Sequence, residues 1–449
     1  MSRLTEQEAR DLAAHVVAIT QADQAEVVVF SHESSLTRFA ANRIHQNVVE
    51  ADTGVSVRAV LGTRAGVAST NRLDGEALAQ CCAVAVAAAS SAPEDPEFPG
   101  LPSPRPVETP ERASAAVERF TPERRAETVR AIVSQSTRES LSAAGSVASG
   151  LEVVAVANSL GIGVAMAITS MRATVLSMAE SGSGGAGWAS YYGADQTGLA
   201  PEALGEQAAT LALRSRDPAD LDPGEYTVVL APEAVADILG FLGRLGFSAR
   251  SVAEGRSFMS NRLGERIASE AITITDDALA PESFGLTFDF EGYPKRQVSL
   301  IEKGVAIGPV TDSYWAAKSE RENTGHALPA PNPHGPMPLD LRMEPGDETM
   351  QELVASVERG VYVTRFHYTN VEDPVPVTLT GMTRDGTFLI ENGAVTKPLR
   401  NQRFTQSAVA ALDAVAGVTR ERAFFKTMIG AVLVPGLLVE GWGFTGQTT

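Results

Sequence analysis

Cysteine and histidine are scarce in this sequence. Among 449 residues there are two cysteines, adjacent at Cys81 and Cys82, and six histidines. Adjacent thiols close only a strained bridge, and two of them supply neither a disulfide framework nor a structural zinc site. Nothing nearby would lower a thiol pKa, so both are expected as small buried hydrophobes. No histidine lies between His45 and His326. No helix in that span can therefore carry the histidine pair of a zinc hydrolase. No run of 18 or more apolar residues occurs, and the most apolar stretch, 153–168, is broken by Asn158, Ser159 and two glycines. The opening MSRLTEQEAR has no basic segment leading into an apolar one, so no export signal and a cytoplasmic location are expected. Positive charge is also in deficit, with 37 Lys+Arg against 55 Asp+Glu, a net charge of −18 and a pI near 4.9. Such a surface repels phosphate backbones and argues against direct nucleic-acid binding.

What is present reads as a globular α+β protein of two domains, 44% hydrophobic and 20% charged. The first, residues 1–220, is expected as an α/β unit of short antiparallel strands with flanking helices. A helix spans about Thr5–Thr20, then strands Glu26–Phe30, Leu36–Ala40, Ile44–Ala51 and Val55–Leu61, with turns at Ala41-Asn42 and Asp52-Thr53-Gly54. A strand near Gly66–Ser69 precedes an Ala-rich helix from Asp74 to about Ala89, which carries both cysteines. Residues 93–110 hold seven prolines and read as an extended surface connector. A helix over Pro122–Arg138, strands Gly150–Ala157, Ile162–Ser170 and Ala173–Met178, a glycine-rich loop and a helix over Pro201–Arg214 complete this half.

Asp217-Pro218 and Asp222-Pro223-Gly224 mark the boundary to a β-rich mixed domain, 221–449. It begins with strand Tyr226–Leu230 and helix Pro232–Leu245. Met350, Leu353, Val354 and Val357 follow helical spacing behind a Thr349…Glu352 capping box, with Gly360 as the stop and a strand over Val361–Phe366. A short internal repeat, Ser299–Ala306 and Phe388–Val395, sets an apolar strand before a tight turn at Gly304 or Gly393; it predicts two hairpins.

Motifs for chemistry are few. His326, His334 and His367 with Asp312 or Asp373 form the only loose metal-ligand set, without local ligand spacing. Gly182–Gly187 matches G-x-G-x-x-G, but no βαβ unit surrounds it and a flexible loop is the better reading. Neither a G-x-S-x-G elbow nor a phosphate-binding G-x-x-x-x-G-K-[ST] loop occurs. Arg296, Arg359 and Arg365 lie beside strands or a helix end, where they could clamp a peptide carboxylate or pair on the surface.

Whole stretches nevertheless look familiar. Arg38–Gln46, Gly54–Arg58 and Ala68–Asp74 resemble the N-terminal domain of the TldD/PmbA family. Asp289–Pro294, Leu300–Val305, Thr324–Ala327, Arg359–Thr364, Phe388–Gly393 and Leu437–Gly441 resemble its C-terminal domain, in order along the chain. The resemblance implies one of two subunit types. One is a zinc metalloprotease with His-Glu-x-x-x-His on the helix after the first strand of the C-terminal domain and a distant ligand cysteine. The other, TldE or PmbA, lacks those ligands and pairs with the first in a heterodimer acting on unfolded peptides. The family has also been named a modulator of DNA gyrase. Here the corresponding segment, Val228–Phe241, has Glu233 and Asp237 but no histidine, and the C-terminal domain has no cysteine. The resemblance therefore implies a TldE/PmbA-like subunit that holds no zinc itself, the zinc belonging to a TldD-like metalloprotease partner. Arg296, His326, Arg365 and His367 are its candidate substrate-binding residues, with peptide added as a strand to the β-rich domain. A free-standing hydrolase with a metal site around His326 and His367, and a homodimeric peptide-binding scaffold, are the alternatives.

Overall fold

The computed structural model describes residues 3–179 and 184–447. Its first half is one antiparallel sheet with helices on a single face. The helices are α1 (Glu6–Ile19), α2 (Gly75–Ser91), α3 (Ala115–Glu118), α4 (Pro122–Arg138) and α5 (Pro201–Arg214). The strands are β1 (Gln24–Ala40), β2 (Arg43–Leu61), β3 (Arg64–Thr70), β4 (Leu141–Asn158), β5 (Gly163–Ala179) and β6 (Ala186–Gly193), in the order β3-β2-β1-β4-β5-β6. Helix starts follow the caps in the sequence: Thr5 and Glu8 form a capping box, Asp74 accepts from Ala77 N, and Thr121 caps α4 ahead of Pro122.

The strands are longer than the sequence suggests. The four expected short strands are two, of 17 and 19 residues, and the three around 150–178 are also two. Ala41 and Asn42 do form a turn, both with positive φ, but Asp52–Gly54 does not. Those residues stay in the ladder opposite Ser31, Phe30 and His32 because β1 is paired on both sides, to β2 and to β4. The Thr53 and Ser31 hydroxyls hydrogen-bond across it at 2.8 Å. Two-sided pairing satisfies backbone groups that a lone turn-prone segment would leave to water.

Pleating divides the side chains of this sheet cleanly. Odd-numbered Val27, Val29, Val153, Ala155 and Ala165 are buried with α1 and α2, where both cysteines also pack. Ala143, Val147, Ala173 and Val175 pack against α4 and α5. Even-numbered Val28, Val154, Val156 and Met166 face the other way and form a second apolar layer with Leu286 and Phe288 of the C-terminal half. The proline-rich connector is not purely a surface element: Leu101 is buried, Val107 packs in that layer, and Asn158 Nδ2 donates to Pro102 O at 2.9 Å.

The second half is built from β7 (Gly224–Leu230), α6 (Pro232–Gly246), α7 (Ala249–Ala253), β8 (Ile274–Asp276), β9 (Val298–Glu302), β10 (Val305–Ala306), α8 (Ser313–Lys318), β11 (Asp340–Met343), α9 (Met350–Ala355), β12 (Arg359–Asp373), β13 (Thr378–Glu391), β14 (Ala394–Pro398), β15 (Gln402–Ser407), α10 (Ala408–Asp413), β16 (Val415–Lys426) and β17 (Ala431–Gln447). In its mixed sheet β17, β15, β13, β12 and β7 are neighbours in turn, and β7 pairs back onto β17, so these strands close a ring. Closure removes free edges. Phe366, Phe404 and Trp442 stack together in this core, Phe366 and Trp442 nearly parallel at 5.3 Å.

Both expected hairpins form, with Lys303-Gly304 and Asn392-Gly393 at positive φ in their turns. Each turn is held by main chain from elsewhere. Ile267 N donates to Gly304 O, and Gly393 N donates to Val357 O. The second bond also explains why α9 ends at Ala355, earlier than the apolar spacing through Val357 suggests: Val357 has left the helix to meet the turn.

Candidate functional site

Of the cavities where the first sheet meets the C-terminal half, two share Tyr192 and Lys426 in their walls. The larger is about 670 Å³ and the smaller about 370 Å³.

The smaller one is built on α6. This helix is buried around most of its circumference, and Glu233, Asp237 and Arg244 form its polar stripe. Glu233 and Asp237, one turn apart, line the cavity. Across from them stands β6, which the sequence hides in a glycine-rich stretch. Of the G-x-G-x-x-G match, Gly182 and Ser183 lie outside the described residues, while Ala186 and Gly187 begin this strand. Its alternation sends Trp188, Ser190 and Tyr192 toward the cavity. Trp188 Nε1 donates to Glu233 Oε1 at 2.7 Å and Ser190 Oγ to Glu233 Oε2 at 3.2 Å, so both carboxylate oxygens are engaged by the other half of the molecule. The Arg365 guanidinium lies 4.3 Å from the Trp188 ring centre and is itself paired to Asp385.

Burial raises the Glu233 pKa, opposed by the Trp188 hydrogen bond, Arg365 and Ser190. Burial, then the Glu233 charge, pushes Asp237 up to about 7, with Arg365 pulling the other way. His367, on the same wall, is lowered by burial and by Arg384 and Arg365.

The floor of the larger cavity is charged and buried. Lys295 Nζ donates to Asp340 Oδ2 at 3.0 Å, and both side chains are nearly inaccessible. Burial works against the Lys295 ammonium, but Asp340 and Asp276 hold its pKa above the usual value. His326 Nε2 meets Asp276 Oδ1 at 2.8 Å and its Nδ1 meets Thr324 Oγ1 at 2.9 Å. Asp289 is pushed well up by burial and by Glu291, although it accepts from three backbone amides.

The candidate residues from the sequence are thus dispersed. Arg365 and His367 share the smaller cavity, and His326 lies in the wall of the larger. Arg296 lines neither and pairs with Glu322 on the surface. The loose metal set is not assembled: His334 is exposed, Asp312 caps α8, Asp373 ends β12, and His326 is held by Asp276. Sequence reasoning did not single out Trp188, Ser190, Lys295 or Asp340. For the first two, period-two alternation over 186–192 was the available signal. Lys295 and Asp340 had none, since 45 residues separate them.

Zinc does not fit the position on α6. Both oxygens of Glu233 already accept hydrogen bonds, and Arg172, Arg365 and Lys426 line the same cavity and would repel a cation. Among the described residues no three His, Cys, Asp or Glu side chains are grouped to hold a metal ion.

Fold and site together define an α+β protein with an interdomain cleft and an acidic, histidine-free helix facing it. Models for the PmbA/TldA metallopeptidase match in all three parts: domain 1 over 25–89, the central domain over 107–216 and the C-terminal domain over 223–446. The chain belongs to this TldD/PmbA family of metallopeptidase-like proteins. It is 26% identical over 223 residues to a Methanothermobacter thermautotrophicus protein named metalloprotease, covering 48% of each chain. It is 28% identical over 207 residues to a zinc metalloprotease TldD homolog of Saccharolobus solfataricus, covering 44% of each. The matching region thus spans about half the length of these curated relatives. Among solved structures, TldE from Thermococcus kodakarensis superposes with a TM-score of 0.87 at 20% identity, covering 97% of this chain and 99% of that one. A Thermotoga maritima protein, described as a candidate modulator of a DNA gyrase, gives 0.85 at 17% identity with the same coverage. These likenesses show the fold. Among the described residues no helix is long and apolar enough to cross a membrane.

Proposed function

We propose that this chain is the TldE/PmbA-like subunit of a family peptidase: it pairs with a zinc-bearing TldD-like subunit and helps hold an unfolded peptide, without itself performing hydrolysis. The observation that carries this reading is the state of α6. The family motif places a glutamate four residues before its second histidine; here Glu233 stands four residues before Asp237, with Pro232 where the first histidine would be. Glu233 is spent on Trp188 and Ser190, so it fastens the two halves together rather than polarising a water. A cleft lined by polar and aromatic side chains remains beside it, suited to an extended peptide.

The test is co-expression with a family subunit that bears His-Glu-x-x-x-His, followed by size-exclusion chromatography and a peptidase assay on an unfolded peptide. The expected result is a stable heterodimer whose zinc and activity are lost when the partner's motif is mutated and kept when Glu233→Gln is made here. Failure to form a complex, with this chain eluting only with itself, would favour the homodimeric scaffold; metal-dependent cleavage by this chain alone would overturn the reading.

A further inference from the structure

On the even face of the first sheet, β1, β4 and β5 align their side chains in rows. Phe30, Val154 and Met166 form one row, and His32, Glu152 and Ile168 the next. The following row is Ser34, Gly150 and Ser170, small residues in register across three central strands. Beyond it Ala148, Arg172 and Tyr192 line up. A Cβ placed on Gly150 would come no nearer than 3.8 Å to its neighbours, Glu33 O and Ser170 Oγ of the same sheet, so nothing from the C-terminal half packs down onto Gly150. The notch it leaves is the sheet-side wall of the larger cavity, and Phe284, Leu286, Phe288 and Ile429 form the opposing wall. A well-packed interface would have filled such a space. At about 670 Å³ it lies within the range of roughly 300–1,000 Å³ typical of ligand sites.

Charged side chains also line this space, Glu33, Glu152, Asp289, Asp340 and Lys426 among them, and Lys295 is its buried cation. Lys295 is 5% exposed and spends one ammonium proton on Asp340. An ammonium has three donors, and Asp340 takes one of them. Asp340, Asp276 and Asp289 surround Lys295, which disfavours a full anion there and favours a neutral acceptor such as an amide carbonyl. Tyr192 and Lys426 line both cavities, so the two lie side by side.

We propose that the larger cavity is a subsite for an aromatic or large aliphatic side chain of an extended peptide, seated over Ser34, Gly150 and Ser170, with a neighbouring main-chain carbonyl accepting from Lys295 Nζ. This rests on the peptide-holding part of the proposed function and names the sequence class that would be held. The subsite belongs to this chain alone and needs no partner.

The test uses the full chain by itself and three N-terminally dansylated pentapeptide amides, Gly-Ala-X-Ala-Gly with X as phenylalanine, alanine or glutamate, followed by fluorescence anisotropy. The phenylalanine peptide is expected to bind at least about tenfold more tightly than the other two. Gly150→Leu, which fills the notch, is expected to abolish that preference while the protein still melts cooperatively; Ser170→Leu repeats the test at the next strand if the first variant does not fold. Equal binding of all three peptides, no binding of any, or an unchanged preference in the folded filled variant overturns the proposal. With no partner present, failure to pair with a metallopeptidase subunit leaves this result standing. Absence of the preference in the unaltered chain, when that chain still pairs, sinks the subsite alone.

Discussion

Asp237 illustrates how one buried carboxyl sets a pH response. Its neighbour Glu233 has both oxygens satisfied, while Asp237 is held up to about 7 by burial and by that neighbouring charge. In an unfolded chain an aspartate titrates near ~3.9. The folded state therefore binds the extra proton between about pH 4 and 7, and its contribution to stability is complete below that window and lost as pH rises through it. Asp237→Asn cannot ionise, so it is expected to match the parent near pH 4 and to exceed it by about 2–4 kcal/mol at pH 8. Urea unfolding at both pH values checks this; parallel profiles for the two proteins would refute it.

At the scale of elements, the two similar hairpins show how a turn is fixed by more than its own residues. Gly304 has φ of +79°, and a Cβ there would sit 2.1 Å from Ala268 O. The same residue accepts from Ile267 N and Ala268 N and donates to Ile272 O, so it cannot move aside without losing those bonds. Gly304→Ala is accordingly expected to cost at least about 2 kcal/mol, the left-handed backbone and the clash acting together. A change in the urea midpoint worth less than half that would show the turn to be free of the segment above it. The long strands make a related point. Asp52–Gly54 carry turn chemistry, yet they remain strand because partners on β1 occupy their hydrogen bonds.

At the scale of the molecule, the halves are joined by the apolar layer around Phe288, by Glu233, and by a buried charge cluster. Arg58 on β2 reaches Glu26 at 2.7 Å and Glu291, from the C-terminal half, at 3.2 Å. Burial, opposed by Arg58, still pushes Glu26 up to about 7; burial works against the Arg58 charge, but the two carboxylates hold its pKa above the usual value. Removing the cation strands two buried acids. Arg58→Met is expected to cost about 3–5 kcal/mol at pH 8. The loss should shrink at pH 6, below the raised Glu26 pKa, where that carboxyl is mostly protonated with or without the cation. Chemical denaturation at the two pH values is the measurement, and a loss equal at both would contradict the assigned role.

Much of this molecule was legible in its sequence because the signals are local. Caps at Asp74 and Thr349 marked helix starts, alternation marked strands, and the hairpin turns followed from Gly304 and Gly393. The missing histidine on 228–241 was equally plain, since a ligand either is in the chain or is not. Only the tertiary structure decided what Glu233 does, because its partners Trp188 and Ser190 come from another sheet. It alone joined Arg58 to Glu291 across 233 residues and left a notch over Gly150. Periodicity says which way a side chain points, not what will be docked against it: that depends on how two folded surfaces fit.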